Sequence, residues 1–148
     1  MEMMRNGIRP QESDRIRVLV VDDEEDFASA IAERLVRRGF GAAAAFSAEE
    51  ALLTLRQSPS DVVVLDLKMP GMDGLTALRE IRKLDPGVQV IVLTGHGSAA
   101  SGIEGMQGGA ADFLQKPVTI EALCTAIAAA AERSRSNRAA SEQGGEGR

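Results

Sequence analysis

The sequence has few of the residues that several common kinds of site require. Its single cysteine, Cys124, excludes an intrachain disulfide and a zinc site built from cysteines. It contains one histidine, and no Walker phosphate loop, nucleophile elbow or cluster of metal-binding histidines occurs. No apolar run reaches the roughly 18–20 residues of a membrane-spanning helix. Residues 1–15 also lack a signal-peptide pattern. We therefore expect a soluble, cytoplasmic protein.

Basic residues are outnumbered, with 17 Lys and Arg against 22 Asp and Glu, which gives a net charge of −5. This balance argues against nucleic acid or a membrane surface as the main partner. The 148 residues, 44% of them hydrophobic, suffice for one domain with a substantial core. Residues 1–14 are predicted to form a flexible arm and residues 134–148 a disordered tail, because both are polar and lack an apolar period. The folded domain is then 15–133.

Short aliphatic runs alternate with helical patterns between these two ends. The runs predict strands at 16–21, 41–45, 62–66, 88–93 and 111–114. Helix-type spacing lies between them, as in Phe27, Ile31 and Leu35. Uniformly apolar strands are typical of a parallel sheet that is covered on both faces. The pattern therefore predicts an α/β domain with a doubly wound parallel sheet.

Local signals refine the helix predictions. Gly39 ends the first helix, and the spacing of Ser47 and Glu50 is that of a capping box that opens the second. The helix expected at 98–109 contains four glycines, each of which costs about 1 kcal/mol relative to alanine in a helix interior. We expect this glycine-rich helix to be marginal in stability.

Four of the predicted strands are followed, or ended, by a charged or hydroxyl side chain. These residues are Asp22, Asp23, Asp66, Thr94 and Lys116. They converge because the carboxyl ends of parallel strands share one edge of the sheet. Two unit charges about 4 Å apart repel by roughly 4 kcal/mol at an effective dielectric constant near 20. Three carboxylates therefore call for a divalent cation, Mg²⁺ or alternatively Mn²⁺. With a hydroxyl and an ammonium group, they describe a phosphoryl-transfer site with a carboxylate nucleophile.

Each of these residues, taken alone, is also compatible with a purely structural role. Glu24, Glu25 and Asp26 are interpreted as acidic residues at a helix N-terminus, where the helix dipole favours them. A single Asp after a strand is usually a turn or capping residue. The joint occurrence at four strand ends favours the site.

Four motifs surround these residues. They are Val-Leu-Val-Val-Asp-Asp at 18–23, Leu-Asp-Leu-Lys-Met-Pro-Gly-Met-Asp-Gly at 65–74, Leu-Thr-Gly at 93–95 and Gly-Ala-Ala-Asp-Phe-Leu-Gln-Lys-Pro at 109–117. Together they resemble the receiver domain of bacterial two-component response regulators, over about 15–133. The resemblance implies a flavodoxin-like fold, a five-stranded parallel sheet of strand order 2-1-3-4-5 with five helices. It also implies a signalling phosphoacceptor, not an enzyme, that assists its own phosphorylation and dephosphorylation.

The resemblance also implies a role for individual residues in this signalling. Asp66 accepts a phosphoryl group from a sensor histidine kinase or a phosphotransfer protein. Asp23 binds Mg²⁺ directly, Asp22 acts mainly through water, and the backbone carbonyl of Lys68 completes the protein ligands. The side chain of Lys116 pairs with the phosphoryl group.

Further residues are assigned to the response. The hydroxyl of Thr94 and the ring of Phe113 turn inward on phosphorylation, and the surface of the fourth helix, fifth strand and last helix changes. The Lys116–Pro117 bond is expected to be cis. Lys68 and His96 flank the phosphoryl group and are predicted to tune its lifetime; the alternative is that both point to solvent. The glycine-rich helix is hypothesised to be the bistable element.

Three interpretations of the output stay open. A free-standing regulator that binds a downstream protein is favoured, from the starting Met and the short tail. The alternatives are the receiver of a longer regulator with a DNA-binding or enzymatic output domain, and a receiver-like interaction module that takes no phosphate. The domain itself is expected to bind neither nucleic acid nor membrane, and a dimer that forms on phosphorylation is a further partner to consider.

Overall fold

Five strands alternate with five helices in the structure, a computed structural model that describes residues 15–95 and 99–146. The strands are β1 (Arg17–Val21), β2 (Gly41–Ala45), β3 (Val62–Leu65), β4 (Gln89–Thr94) and β5 (Asp112–Gln115). The helices are α1 (Glu25–Arg37), α2 (Ala48–Gln57), α3 (Gly74–Leu84), α4 (Ala99–Gln107) and α5 (Ile120–Glu146). Each predicted strand is confirmed to within one residue at either end.

All strand pairs are parallel, in the order β2-β1-β3-β4-β5. The register pairs Val21 with Leu65, and Leu65 with Val92. The residues that follow β1 and β3 therefore emerge side by side at the carboxyl edge of the sheet. The predicted fold class and strand order are confirmed.

Alternate residues of each central strand enter two separate cores. In β1, Leu19 and Val21 pack with α2 and α3, whereas Val18 and Val20 pack with α1 and α5. Both faces of the sheet are thus covered, which explains why the strands are uniformly apolar. The two cores hold the strand ends in fixed register.

The local signals in the sequence have structural counterparts. Gly39 follows α1 with a φ of 97°, a left-handed conformation that favours glycine at the end of a helix. The Ser47 hydroxyl accepts a hydrogen bond from the Glu50 amide at 3.1 Å. The Glu50 carboxylate accepts one in return from the Phe46 amide at 2.7 Å, one residue earlier than in a standard capping box.

Of the two glycines in α4, Gly102 allows close packing, whereas Gly105 leaves room for a side chain. A Cβ atom at Gly105 would lie 3.5 Å from Val92 in β4, an ordinary contact distance. A Cβ atom at Gly102 would lie 3.3 Å from the Phe113 ring, closer than most packed side chains tolerate. The low intrinsic helix propensity of Gly102 therefore accompanies a close approach of α4 to Phe113.

The last helix differs from the prediction of a disordered tail from Ser134. Helix α5 continues to Glu146, and Ser134 is fully buried. Arg138 binds both carboxylate oxygens of Asp85, at 3.2 and 2.7 Å. Composition did not reveal this because polar contacts to distant residues, rather than an apolar stripe, attach this part of the helix. The predicted arm at 1–14 and residues 147–148 lie outside the described residues.

Across residues 15–95 and 99–146, no helix combines the length and apolarity that crossing a membrane requires.

Candidate functional site

Asp22 and Asp66 stand next to each other at the carboxyl edge of the sheet. Each continues its strand by one backbone hydrogen bond, from the Asp22 amide to the Ala45 carbonyl at 3.1 Å and from the Asp66 amide to the Val21 carbonyl at 3.0 Å. Their exposed fractions are only 2% and 4%. The strands therefore deliver two carboxylates into a buried position, where their charges are costly unless they are paired.

Asp23 joins these two residues to form a group of oxygen ligands. One carboxylate oxygen from each of Asp22, Asp23 and Asp66 lies within 4.8 Å of the others. Two backbone amides orient the buried pair: Lys68 donates to Oδ1 of Asp66 at 2.9 Å, and Glu24 donates to Oδ1 of Asp22 at 3.0 Å. Clustered carboxylates of this kind fit a hard divalent cation such as Mg²⁺. The three aspartates could hold a metal ion.

Lys116 brings a positive charge to the same place. Its Nζ atom lies 2.7 Å from Oδ2 of Asp22 and 3.5 Å from Oδ2 of Asp66. Its backbone amide donates to the carbonyl of Thr94 at 3.0 Å, which fixes the residue just beyond β5. The Lys116–Pro117 bond is cis, the geometry that the resemblance implies. One ammonium group is thus shared between two buried carboxylates.

Burial, hydrogen bonds and neighbouring charges shift two pKa values at the site. Burial raises the pKa of Asp22, and the neighbouring Asp66 charge raises it further, while hydrogen bonds from Lys116 and the Glu24 amide oppose this. Burial alone would lower the pKa of Lys116, but its hydrogen bonds to Asp22 and Glu24 and the charges of Asp22 and Asp66 outweigh burial and raise it. The negative charge at this edge exceeds what one lysine neutralises.

Glu24 and Phe27 contact Lys116, which the sequence did not reveal. The Glu24 carboxylate lies 3.1 Å from Nζ, and the centre of the Phe27 ring lies 4.2 Å from it. In the sequence, Glu24 is typical of an acidic helix N-terminus and Phe27 of a core position on a helix. Their spacing of i and i+3 places them on one face of a helix. Which residue meets that face is a matter of tertiary structure, so spacing alone could not identify Lys116.

The loop after Asp66 is held by the start of α3. Asp73 caps this helix, accepting hydrogen bonds from the amides of Leu75 and Thr76 at 3.2 and 3.3 Å. Gly74 packs so closely against Leu67 that any Cβ atom there would overlap the Leu67 backbone. No local pattern in the sequence marks Gly74 for this contact. It allows the loop that carries Lys68 to lie directly on the helix.

Of the remaining predicted residues, Thr94, Phe113 and Lys68 lie in the part of the chain that the structure describes. Thr94 is buried at the end of β4, where it pairs with Gln115. Phe113 is half-buried in β5 beside α4. Lys68 is exposed, and His96 falls outside the described residues.

Comparisons of the sequence and of the structure with known proteins agree on one family. The family model described as "Response regulator receiver domain" matches residues 18–128. A crystal structure of a response regulator receiver domain protein from Clostridium thermocellum is similar, with a TM-score of 0.75 and 39% identity. That match covers 80% of this chain and 96% of the other.

Two curated relatives are much longer. The C4-dicarboxylate transport transcriptional regulatory protein DctD of Rhizobium meliloti (strain 1021) is 37% identical over 136 residues, which cover 88% of this chain and 30% of that protein. The transcriptional regulatory protein GlrR of Escherichia coli (strain K12) is 39% identical over 117 residues, 79% of this chain and 26% of that protein. The chain spans less than a third of the length of either relative.

Proposed function

Because this chain belongs to the family of response regulator receiver domains, we propose that it is a phosphoacceptor and that Asp66 takes up the phosphoryl group. One observation carries the proposal. Asp66 is a buried carboxylate whose Oδ2 lies 3.5 Å from the ammonium group of Lys116, beside two further aspartates. A nucleophile, a site for a hard cation and a donor for the phosphoryl oxygens occur together.

The chemistry is transfer from the phosphohistidine of a sensor kinase or phosphotransfer protein. A carboxylate oxygen of Asp66 forms a bond to phosphorus as the bond between phosphorus and the histidine nitrogen breaks, and that nitrogen keeps the electron pair. The Lys68 amide holds Oδ1 of Asp66 in place. Lys116 donates to the phosphoryl oxygens. Mg²⁺ held by Asp22, Asp23, Asp66 and the Lys68 carbonyl would neutralise carboxylate and phosphoryl charge.

Phosphorylation adds nearly two negative charges at the carboxyl edge of the sheet. Thr94 and Phe113 then move inward, and the surface of α4, β5 and α5 changes. The close approach of Gly102 to Phe113 supports a coupling of this ring to α4. If α4 is bistable, its amides at 102–109 should exchange quickly in the unphosphorylated protein. Slow amide exchange there would contradict the hypothesis.

Lys68 and His96 are proposed to tune the lifetime of the acyl phosphate, by shielding it or by orienting the attacking water. Replacing either residue by alanine should change the rate of dephosphorylation. Equal rates for wild type, Lys68→Ala and His96→Ala would show that neither residue acts on the phosphoryl group.

The output is either a downstream protein bound by a free-standing regulator or an attached domain that the receiver controls. The lengths of DctD and GlrR support the second. An immunoblot of the source cells with an antibody against 15–133 separates the two, because a product much larger than 15.7 kDa requires an attached domain. The cytoplasmic location and a dimer on phosphorylation stay predictions.

Intact-mass spectrometry tests the phosphoacceptor role. Wild type treated with acetyl phosphate and Mg²⁺ should gain the mass of one phosphoryl group, and Asp66→Ala should gain none. Asp85→Ala is a suitable control because this aspartate also binds a basic side chain but lies away from the site. A gain in Asp66→Ala, or none in wild type, would contradict the proposal.

A further inference from the structure

The Lys116 ammonium group has a partner that belongs to neither the metal group nor the nucleophile. The Glu24 carboxylate binds Nζ at 3.1 Å, slightly closer than Asp66 at 3.5 Å. The Lys116 side chain is 15% exposed and that of Glu24 is 68% exposed. The bond therefore runs from a largely buried ammonium group to a carboxylate at the surface.

Lys116 is also held from the side by Phe27. The ring centre lies 4.2 Å from Nζ, within the range of a cation–π contact. Glu24 and Phe27 both belong to the N-terminal end of α1, so one short segment supplies two of the groups around the ammonium. Glu24 and Phe27 together hold the Lys116 ammonium group against the start of α1.

We propose that Glu24 is a positioning residue that competes with the phosphoryl group for Lys116 and thereby weakens phosphoryl binding. The inference rests on the proposed function of Asp66. An ammonium group has three donors, and in this structure Asp22 and Glu24 both accept from it. Oδ2 of Asp66 also lies 3.5 Å from Nζ, and a phosphoryl group on Asp66 brings further acceptors, so that the acceptors around Lys116 then outnumber its three donors. Glu24 is the partner to be released because water readily solvates its exposed carboxylate.

The electrostatics act in the same direction. A carboxylate at Glu24 adds negative potential beside the position of a phosphoryl dianion, which weakens its binding. Both effects disappear if the side chain is neutral. Glu24→Asp removes only the competition for Lys116, because the shorter side chain keeps its charge but withdraws it from the ammonium group. The two variants thus separate competition for Lys116 from general repulsion.

The test measures the affinity for beryllofluoride, a phosphoryl analogue, at saturating Mg²⁺. Detection by ¹⁹F NMR or calorimetry suits this chain, which has no Trp or Tyr for intrinsic fluorescence. Glu25→Gln is the matched control, because it removes the same charge from the next, exposed residue of α1. Mg²⁺ affinity and thermal unfolding are measured for every variant.

Glu24→Gln should bind beryllofluoride about two- to fivefold more tightly than Glu25→Gln, the factor that the loss of one exposed ion pair allows. Glu24→Asp should bind more tightly than wild type. In a Lys116→Met background the advantage of Glu24→Gln should shrink, because only the direct repulsion by the Glu24 charge remains. Should Lys116→Met not fold, the beryllofluoride affinities of Glu24→Asp and wild type still separate competition for Lys116 from general repulsion.

Equal affinities of Glu24→Gln and Glu25→Gln would overturn the inference and leave the proposed function intact. Glu24→Asp binding no more tightly than wild type, or an advantage that is undiminished without Lys116, would also overturn it, because general repulsion would then explain the whole effect. A wild-type protein that neither binds beryllofluoride nor takes up a phosphoryl group would overturn the proposed function, and this inference with it.

Discussion

The two edges of the sheet use charged residues in opposite ways. At the carboxyl edge, three aspartates and Glu24 gather around one lysine. At the amino edge, Arg138 pairs with Asp85 and Arg135 with Asp61. The carboxyl-edge cluster carries excess negative charge, whereas each of these two arginines is paired with an aspartate.

Charged residues at the amino edge join elements of the fold, whereas those at the carboxyl edge form the candidate site. At the amino edge, Arg138 also donates to the carbonyl of Ser60 at 3.1 Å, so this side chain joins α5 to the residues before β3 and β4. Such contacts stabilise the fold, and the charges of Arg135 and Arg138 are paired within the protein. The carboxyl edge keeps a surplus of buried carboxylate that a cation and a phosphoryl group together could use. We therefore expect equivalent changes at the two edges to act in opposite directions.

The largest effect on stability is expected for Gly74→Ala at the carboxyl edge. A Cβ atom would overlap the Leu67 backbone, and overpacking of this kind costs about 1–3 kcal/mol. Gly41→Ala at the amino edge is the matched control, because its Cβ atom would lie 3.9 Å from the nearest atom. Urea unfolding should show a lower free energy of unfolding for the first variant only. Equal losses would contradict the tight packing of the loop.

Loss of a paired charge at the amino edge should rank second. Arg138→Met removes the bonds to Asp85 and Ser60 and should lower the free energy of unfolding by about 1–2 kcal/mol, given that the pair is partly exposed. Mg²⁺ affinity, measured by calorimetry, should stay that of wild type. A large change in Mg²⁺ affinity would show that the two edges are coupled.

The same chemical change at the two edges should have opposite signs. Asp66→Asn removes one of the crowded carboxylates and should raise the free energy of unfolding of the metal-free protein by about 1 kcal/mol. Asp85→Asn removes the partner of Arg138 and should lower it. Chemical denaturation in the presence of a chelator compares the two. Destabilisation by both substitutions would show that the carboxyl edge is not strained by its charges.

The smallest effect expected is on pH dependence. Burial and the Asp66 charge raise the pKa of Asp22 above its ordinary 3.8, so the folded protein holds this proton more tightly than the unfolded chain does. The resulting stability is fully present below the ordinary pKa and is lost as pH rises through the folded value. Because a cation requires ionised Asp22, stabilisation by Mg²⁺ should shrink as pH falls through the raised pKa of Asp22.

Thermal unfolding with and without Mg²⁺ across this pH range measures the effect. Asp22→Asn should show weaker stabilisation by Mg²⁺, with less pH dependence at mildly acidic pH. An unchanged profile would mean that Asp22 does not control cation binding.

The sequence predicted the sheet and the convergence of the site for a physical reason. Uniformly apolar runs require a sheet covered on both faces, and parallel strands bring their carboxyl ends to one edge. The positions of Asp22, Asp66 and Lys116 follow from this, and the structure brings all three together. The weakest of the predicted strands, the mostly alanine run at 41–45, is also confirmed, as β2.

What the sequence did not predict depends on contacts between distant elements. Glu24 and Phe27 meet Lys116 only because the start of α1 and the residue that follows β5 lie at the same edge of the sheet. The continuation of α5 depends on Arg138 reaching Asp85, 53 residues away in sequence. Neither contact leaves a local pattern, because a polar residue on a helix looks the same whether it meets water or a distant partner.

The most direct test of the central claim is to locate the modification. Protein treated with acetyl phosphate and Mg²⁺ is reduced with borohydride, which converts an aspartyl phosphate to homoserine, and is then digested and sequenced by mass spectrometry. We predict homoserine at position 66. Its amount should depend on Mg²⁺ and should be lower in Asp23→Asn. Homoserine at another aspartate, or none in protein shown to be folded, would contradict the assignment of Asp66 as the phosphoacceptor.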